Sequence, residues 1–509
     1  MAGPVLEAPS QVEIELKFVV PQPQLEALKR AMRRGEVRVQ HLQAIYYDTA
    51  DERLAAQGAS IRLRKEGRQW VQTAKALTPD ALRRLENNFN VTAPRGRSAP
   101  ELDIARHDGT PVGAAIRAAL GHAVGASHDA SLRERFRIDV SRTTRTERVG
   151  GACVELALDT GTILAGERSI PICEFELELK SGPVAELLGL ATLWAVDAGL
   201  WLSTVSKAER GARLVRGEVE GPPVFAVTPV IDADAGPAGF LVATIESCLK
   251  QILGNASEVG AGAVDEQLVH QLRVGLRRLR TALRELSGFA PGIEPAWEAM
   301  FGRTFQELGA HRDRVTVIPA ILEALSSAGV HYPQAPSGSE EIRSPEAVVR
   351  EPDFQRTLLA VIAFCHAPPA SMQRKRGGRK ELRRRVARLL DDLHNRLARD
   401  AKRFEKLSTT RQHGVRKRLK RLRYLGEFAA PLFDAKRAKR YLASWQEAQD
   451  ALGEYNDHRI GKEAIRSDSH SGAHAKPALR WIAARLQTCV KQCARALRNA
   501  ARRPVFWET

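Results

Sequence analysis

Long apolar runs, paired cysteines and stacking aromatics are all scarce in this chain of 509 residues. No stretch reaches the length of apolar sequence that a bilayer-spanning helix needs, so no membrane protein is expected. The opening MAGPVLEAPSQVEIELKF lacks a basic segment followed by a long apolar stretch, and no secretory signal is expected there. The six cysteines, Cys153, Cys173, Cys248, Cys365, Cys489 and Cys493, include no C-x-x-C pair. That pattern argues against a disulfide framework and a structural zinc site, and for scattered thiols in a reducing cytoplasm. An apolar fraction of 43% excludes wholesale disorder, and the length calls for more than one core.

What is abundant is positive charge, and it is unevenly placed. The net charge is +18, yet residues 1–230 carry 30 Lys and Arg against 29 Asp and Glu, while residues 231–509 carry 48 against 31. A field of that sign concentrates polyanions such as nucleic acid, anionic lipid or polyphosphate, without choosing among them.

The first half reads as strands. Val12-Glu13-Ile14-Glu15-Leu16-Lys17-Phe18, Ser60-Ile61-Arg62-Leu63-Arg64 and Glu174-Phe175-Glu176-Leu177-Glu178-Leu179-Lys180 alternate strictly. Taken singly, each polar row could be a solvated strand face. Carboxylates on every second residue repel one another unless cations lie between them, and two acidic rows plus an arginine row predict a polar interior. Carboxylate sets suit hard cations, Mg²⁺ or Mn²⁺. Arg62, Arg64 and Lys75, on adjacent strand candidates, suit phosphate oxygens.

Gly217 through Pro229 breaks the alternation as a linker, and helical spacing follows over 240–254, 264–288, 378–407, 411–430 and 437–455. Segment 334–352, rich in Pro, Ser and Glu, reads as a loop. This half repeats itself. His270-Gln-Leu-Arg273-x3-Arg277-Arg278-Leu279-Arg280 is echoed by His413-Gly-Val-Arg416-x3-Lys420-Arg421-Leu422-Arg423, and Leu308-Gly309-x2-Arg312-Asp313 by Leu452-Gly453-x2-Asn456-Asp457. His270, Arg273, Arg277 and Arg280 form one helical stripe; His413, Arg416, Lys420 and Arg423, with Lys417 alongside, form its counterpart. A solvated Arg-rich face is the plain alternative for either stripe, and the histidines are either anion donors or satisfied core groups. Arg312-Asp313 and Asn456-Asp457 are ion-pair or capping candidates. Few aromatics accompany these helices, which disfavours nucleic acid as partner.

Glu13-x-Glu15-x-Lys17 resembles the signature of the CYTH superfamily, the triphosphate tunnel metalloenzymes. Tyr46-Tyr47-Asp48-Thr49, Ile61-Arg62-Leu63-Arg64, Lys75, Asp159-x-Gly161, the Glu174 row and Ser206-Lys207-x-Glu209-Arg210-Gly211 follow in the family's order. The resemblance implies a closed antiparallel β-barrel, with helices, forming a tunnel over residues 1–215. Inorganic triphosphate or a short polyphosphate would be hydrolysed there. By similarity Glu13, Glu15, Glu174, Glu176 and Glu178 would hold Mg²⁺ or Mn²⁺. Lys17, Arg62, Arg64, Lys75, Arg142 and Lys207 would grip phosphate, and Lys17, Lys207 and Glu15 would serve catalysis. The chain departs from the pattern at Asn88 and Asn90, where related proteins often carry carboxylates, and the register of 84–90 stays open. Hydrolysis of thiamine triphosphate, adenylate cyclisation, and a weak or inactive tunnel serving binding alone are the alternatives.

After a linker at 216–231, the stripes resemble the CHAD domain. This implies an all-α duplicated bundle over 232–509, in two halves at about 232–335 and 352–509. Polyphosphate would bind along the basic surface, with association to polyphosphate granules. The whole chain resembles CYTH-CHAD inorganic triphosphatases: an α+β multidomain enzyme of the cytoplasm.

Overall fold

The computed structural model describes residues 11–78, 80, 82–93, 99–121, 132–332, 342–366, 378–468 and 474–508. The chain divides into two compact units. The first holds Met1–Pro223, Ala256–Ala263 and Val349–Ala367; the second holds Val224–Asn255, Val264–Val348 and Pro368–Thr509.

Among the described residues nine strands build the first unit: β1 Gln11–Val19, β2 Arg38–Asp48, β3 Ala59–Glu66, β4 Gln69–Leu77, β5 Arg83–Val91, β6 Arg133–Val149, β7 Ala152–Ala165, β8 Arg168–Ser181 and β9 Trp201–Leu202. They pair antiparallel in the order β5-β4-β3-β2-β6-β7-β8-β1-β9, and β5 returns to β1. The closure lies within β1 itself: Gln11 to Ile14 pair with β5, and Glu15 to Val19 pair with β8. Eight strands therefore form a closed antiparallel barrel, with β9 beside β1.

Strand alternation gives that barrel two faces. Outward residues of β3 and β4, including Ile61, Ala74 and Ala76, pack beneath helices α2 Arg53–Ala56 and α3 Pro111–Leu120 through Leu54, Val112, Ile116 and Leu120. The opposite face carries the charged rows. Part of the interior is apolar: Leu42, Ala44, Tyr46, Phe136, Ile138, Val140, Ile163 and Ile172 meet Ala208, Leu214 and Val215 of helix α5. Helices α1 Gln22–Met32, α4 Val184–Ala191 and α5 Lys207–Arg216 complete this set. Each aliphatic chain buried there contributes about 1.5–3 kcal/mol. Residues 221–231, within the expected linker, carry neither helix nor strand.

Eleven further α-helices follow among the described residues: α6 Pro237–Gly260, α7 Glu266–Glu285, α8 Pro295–Arg312, α9 Ile318–Ser327, α10 Pro345–Val349, α11 Pro352–His366, α12 Gly378–Arg403, α13 Thr409–Ala429, α14 Ala435–Ser444, α15 Gln446–Ser467 and α16 Ala475–Ala501. The single segment expected at 437–455 is two helices, with the fully buried Trp445 between the end of α14 and the start of α15. The expected loop at 334–352 contains α10, and its residues 334–341 lie outside the described residues. No helix among the described residues is long and apolar enough to cross a membrane.

Candidate functional site

The barrel interior gathers charged residues from β1 and from β3 through β8. Register places Glu15 opposite Glu178, Lys17 opposite Glu176, Glu13 opposite Arg84 and Arg142 opposite Asp159. Ser206 caps α5 by accepting from the Glu209 amide at 3.1 Å, which sets Lys207 in the first turn. There the Lys207 ammonium lies 2.8 Å from Asp159, 2.8 Å from Glu174 and 2.5 Å from Glu176. Arg142 forks onto Asp159 at 2.7 and 2.6 Å and reaches Glu176 at 2.6 Å. Arg210 pairs with Glu174 at 2.7 Å.

A second knot surrounds Lys75, which donates to Glu13 at 2.6 Å and pairs with Glu86 at 3.0 Å. The register left open by the sequence is thereby settled. Leu85 packs with the outer core and Asn87 Oδ1 accepts from His107 Nδ1 at 2.7 Å outside, so Arg84, Glu86 and Asn88 face inward. Asn88 accepts from Thr73 at 2.7 Å and donates to Glu86 at 2.9 Å. Glu178 meets Lys180 at 2.7 Å, and Lys17 donates to the Val205 carbonyl.

Two arginines differ from the rest. Arg62 donates to the Tyr46 hydroxyl at 2.9 Å, and its Nε is buried without a partner among the described residues. Arg64 donates to Glu66 at 2.7 Å. Burial, then the Arg62 and Arg142 charges, push the Arg64 guanidinium down. This wall carries positive charge that carboxylates do not fully balance.

Titration follows the same division. Burial, then the fields of Glu15 and Glu86, push Glu13 up to about 8 against the pull of Lys75. Burial also raises Glu178. Glu176 and Glu174 are buried too, but Lys207 and neighbouring cations hold both below the usual carboxylate range. Burial lowers Lys17 to about 8, with Arg84 and Lys207 adding to the fall. Inward carboxylates raised by burial, in an all-oxygen set with Glu15 between them, fit a hard divalent cation.

In the second unit Asp265 caps α7 and Ser408 caps α13, and in both helices the stripe histidine lies five residues after the cap. Arg273 and Arg277 each lie 4.9 Å from the ring centre of Phe305 on α8, and Arg280 lies 5.7 Å from it. Gly309 makes room for this, since a Cβ there would stand 3.2 Å from an Arg273 nitrogen. The stripes influence one another directly. Burial and the cations Arg277, Arg416 and Arg423 push Lys420 down to about 6. Burial and their neighbours likewise bring Arg273 and Arg416 to about 10. The Nε atoms of both are buried without a hydrogen-bond partner among the described residues. His270 and His413 are lowered by burial and by adjacent cations, His413 to about 4, so both are neutral N–H donors near pH 7. Arg280 pairs with Glu298 at 2.8 Å and Arg423 with Glu427 at 3.3 Å. Burial raises Asp313, against Arg273, Arg312 and Arg416 and with Asp457 adding to the rise. The second repeated motif therefore belongs to the same cluster, a placement its spacing alone did not reveal. Phe305 had no sequence signal.

The first unit is a closed barrel whose interior interleaves carboxylates with lysine and arginine, and the second carries a duplicated pair of basic helices. Residues 11–212 match the CYTH domain and residues 243–466 match the CHAD domain. The chain carries a CYTH domain followed by a CHAD domain. Over 202 residues it is 30% identical to an inorganic triphosphatase of Haemophilus influenzae, covering 39% of this chain and 54% of that protein. The chain thus spans about half the length of that curated relative. Among solved structures it is similar to the CHAD domain from the plant Ricinus communis (23% identity, 56% of this chain and 98% of that one, TM-score 0.41). It is also similar to a putative adenylyl cyclase from Hippeastrum with a dominant triphosphatase activity (17% identity, 41% of this chain and 97% of that one, TM-score 0.29).

Proposed function

We propose that the barrel hydrolyses inorganic triphosphate or a short polyphosphate with a divalent cation, Mg²⁺ or Mn²⁺, and that the helical unit binds polyphosphate. The observation that carries the barrel's part is the inward Arg62, whose described hydrogen bond goes to a phenol, standing beside Arg64 in the same interior as the acidic rows. Glu13, Glu15, Glu174, Glu176 and Glu178 hold the cation. When bound, it supplies charge neutralisation on the phosphate oxygens and a more acidic water. Arg62, Arg64, Arg142 and Lys75 bind the phosphate chain, which fixes the terminal phosphorus for attack.

A water oxygen forms the new bond to the terminal phosphorus while the bridging P–O bond breaks, its electron pair leaving on diphosphate. Glu15, without an ion-pair partner within 4 Å among the described residues, takes the water's proton. Lys17 and Lys207 neutralise the charge that develops on the leaving oxygens. The inward Glu86, paired with Lys75, keeps a carboxylate on β5 although Asn88 and Asn90 are amides.

In the helical unit, burial together with mutual repulsion lowers Lys420, Arg273 and Arg416, and a linear polyanion would relieve the repulsion. The test has two arms. Purified protein with tripolyphosphate and Mg²⁺ or Mn²⁺ should release phosphate, and Glu13→Ala should abolish the release; equal rates with and without metal would refute the barrel's role. Long-chain polyphosphate should displace the protein from duplex DNA at fixed salt, because a salt-matched comparison removes the shared electrostatic term. Displacement by DNA of bound polyphosphate would refute the helical unit's role.

A further inference from the structure

Helices α15 and α16 bring together a second set of metal-ligating side chains, outside the barrel and outside both basic stripes. Glu454 and His458 stand one turn apart on α15, and Cys489 and Cys493 one turn apart on α16. That spacing puts each pair on a single helix face. One donor atom each from Glu454, His458 and Cys489 lies within 4.8 Å of the other two. His458 and both cysteines are buried, and Glu454 is half-buried.

A buried cysteine beside a buried histidine is commonly mere packing. Two outer contacts distinguish this cluster. His458 Nδ1 lies 2.9 Å from the backbone carbonyl of Glu454. A carbonyl only accepts, so Nδ1 carries the ring proton and Nε2 presents its lone pair. Arg485 donates to one carboxylate oxygen, Oε1 of Glu454, at 3.1 and 2.7 Å from its Nε and Nη2. An imidazole fixed by a carbonyl and a carboxylate fixed by a guanidinium are the supports that orient ligands around a bound metal. Trp481 covers the His458 ring, the two ring centres lying 5.9 Å apart.

We infer that Glu454, His458 and Cys489, with Cys493 or a water in the remaining position, bind a thiophilic divalent cation of the zinc class. Thiolate, imidazole and carboxylate in one tetrahedral set favour zinc over the hard cations suited to the barrel. Metal–ligand bonds of about 2.0–2.3 Å require only small side-chain adjustments from the observed spread. On binding, the Cys489 thiol releases its proton to solvent and its sulfur lone pair forms the metal bond. No C-x-x-C spacing announces the site, because its ligands come from two helices. The consequence reaches the basic cluster: Asn456 and Asp457 lie between the α15 ligands, and Asp457 acts on both Asp313 and Arg416. A metal clamping α15 to α16 would hold that acidic wall in place.

Cobalt(II) added to the chelator-stripped full chain tests this, since a cobalt–thiolate bond gives an intense near-ultraviolet charge-transfer band. The band is expected at stoichiometric cobalt, and zinc should displace it and raise Tm. Cys489→Ser and His458→Gln should each weaken or remove the band while helical circular dichroism persists, and Glu13→Gln in the barrel should leave it intact. In the wild-type chain, zinc should also slow alkylation of Cys489, mapped by mass spectrometry, but not that of Cys153. Absence of the band in the wild type, or alkylation of Cys489 unaffected by zinc, overturns the assignment; so does a band unchanged in both variants.

Discussion

The Lys75 ammonium lies 2.6 Å from a Glu13 carboxylate oxygen, so a side chain suited to phosphate neutralises one suited to metal. Each must be released before its ligand can bind. Metal and triphosphate are therefore expected to bind synergistically, each strengthening the other by about 5–150-fold, the usual range of a coupling free energy. Calorimetric titration of Mn²⁺ with and without a non-hydrolysable triphosphate analogue measures the coupling. Additive binding, after correction for metal–analogue association in solution, would contradict it.

Arg62→Ala removes the interior cation whose described partner is a phenol rather than a carboxylate. Losing a charge-assisted contact to substrate should cost about 1.5–3 kcal/mol of binding, which is roughly 10–150-fold in kcat/KM for tripolyphosphate. Thermal stability should change little, because no buried carboxylate is left unpaired. An Arg62→Ala enzyme with unaltered kcat/KM would place the phosphate chain elsewhere.

Lys420 supplies a pH dependence. Its folded value of about 6 lies far below the ordinary 10.5, so between these the unfolded chain holds a proton that the folded chain lacks. Its contribution to stability is present above about 10.5 and is lost as pH falls toward 6. A bound polyanion favours the charged ammonium, so binding near pH 7.5 should take up a proton. Titration calorimetry in buffers of different ionisation enthalpy should show that uptake in the wild type and its loss in Lys420→Met. Buffer-independent heats in the wild type would contradict the placement of polyanion at this stripe.

Gly211→Ala tests how α5 seals the barrel. Alanine improves helix propensity by about 1 kcal/mol. A Cβ at this position, however, would meet a Phe136 ring carbon at 2.2 Å, and that ring is stacked on Tyr46 at 4.6 Å. The ring has nowhere to go, so overpacking of about 1–3 kcal/mol should win and lower Tm. A raised Tm would mean that α5 does not pack as described.

The polar interior was legible because alternation is local: Glu13, Glu15, Arg62, Arg64 and the Glu174 row declare their shared faces by spacing alone. Closure was not, since nothing local in β1 says that its first half pairs with β5 and its second with β8. The inward placement of Arg84 and Glu86 depended on the same long-range register. In the helical half the histidine and arginine stripes were plain. Phe305 beneath three arginines was hidden because it lies on another helix, and the repeat that flagged Asp313 and Asp457 did not show that they stand beside the stripes. The break at Trp445 was missed because apolar spacing continues across it from α14 to α15.

The most direct test is a crystal structure of the full chain with Mn²⁺ and a non-hydrolysable tripolyphosphate analogue, with manganese located by anomalous scattering. The predicted result is an anomalous peak among Glu13, Glu15, Glu174, Glu176 and Glu178, with phosphate oxygens on Arg62, Arg64 and Lys207. An analogue lying only along α7 and α13, with no manganese in the barrel, would contradict the account.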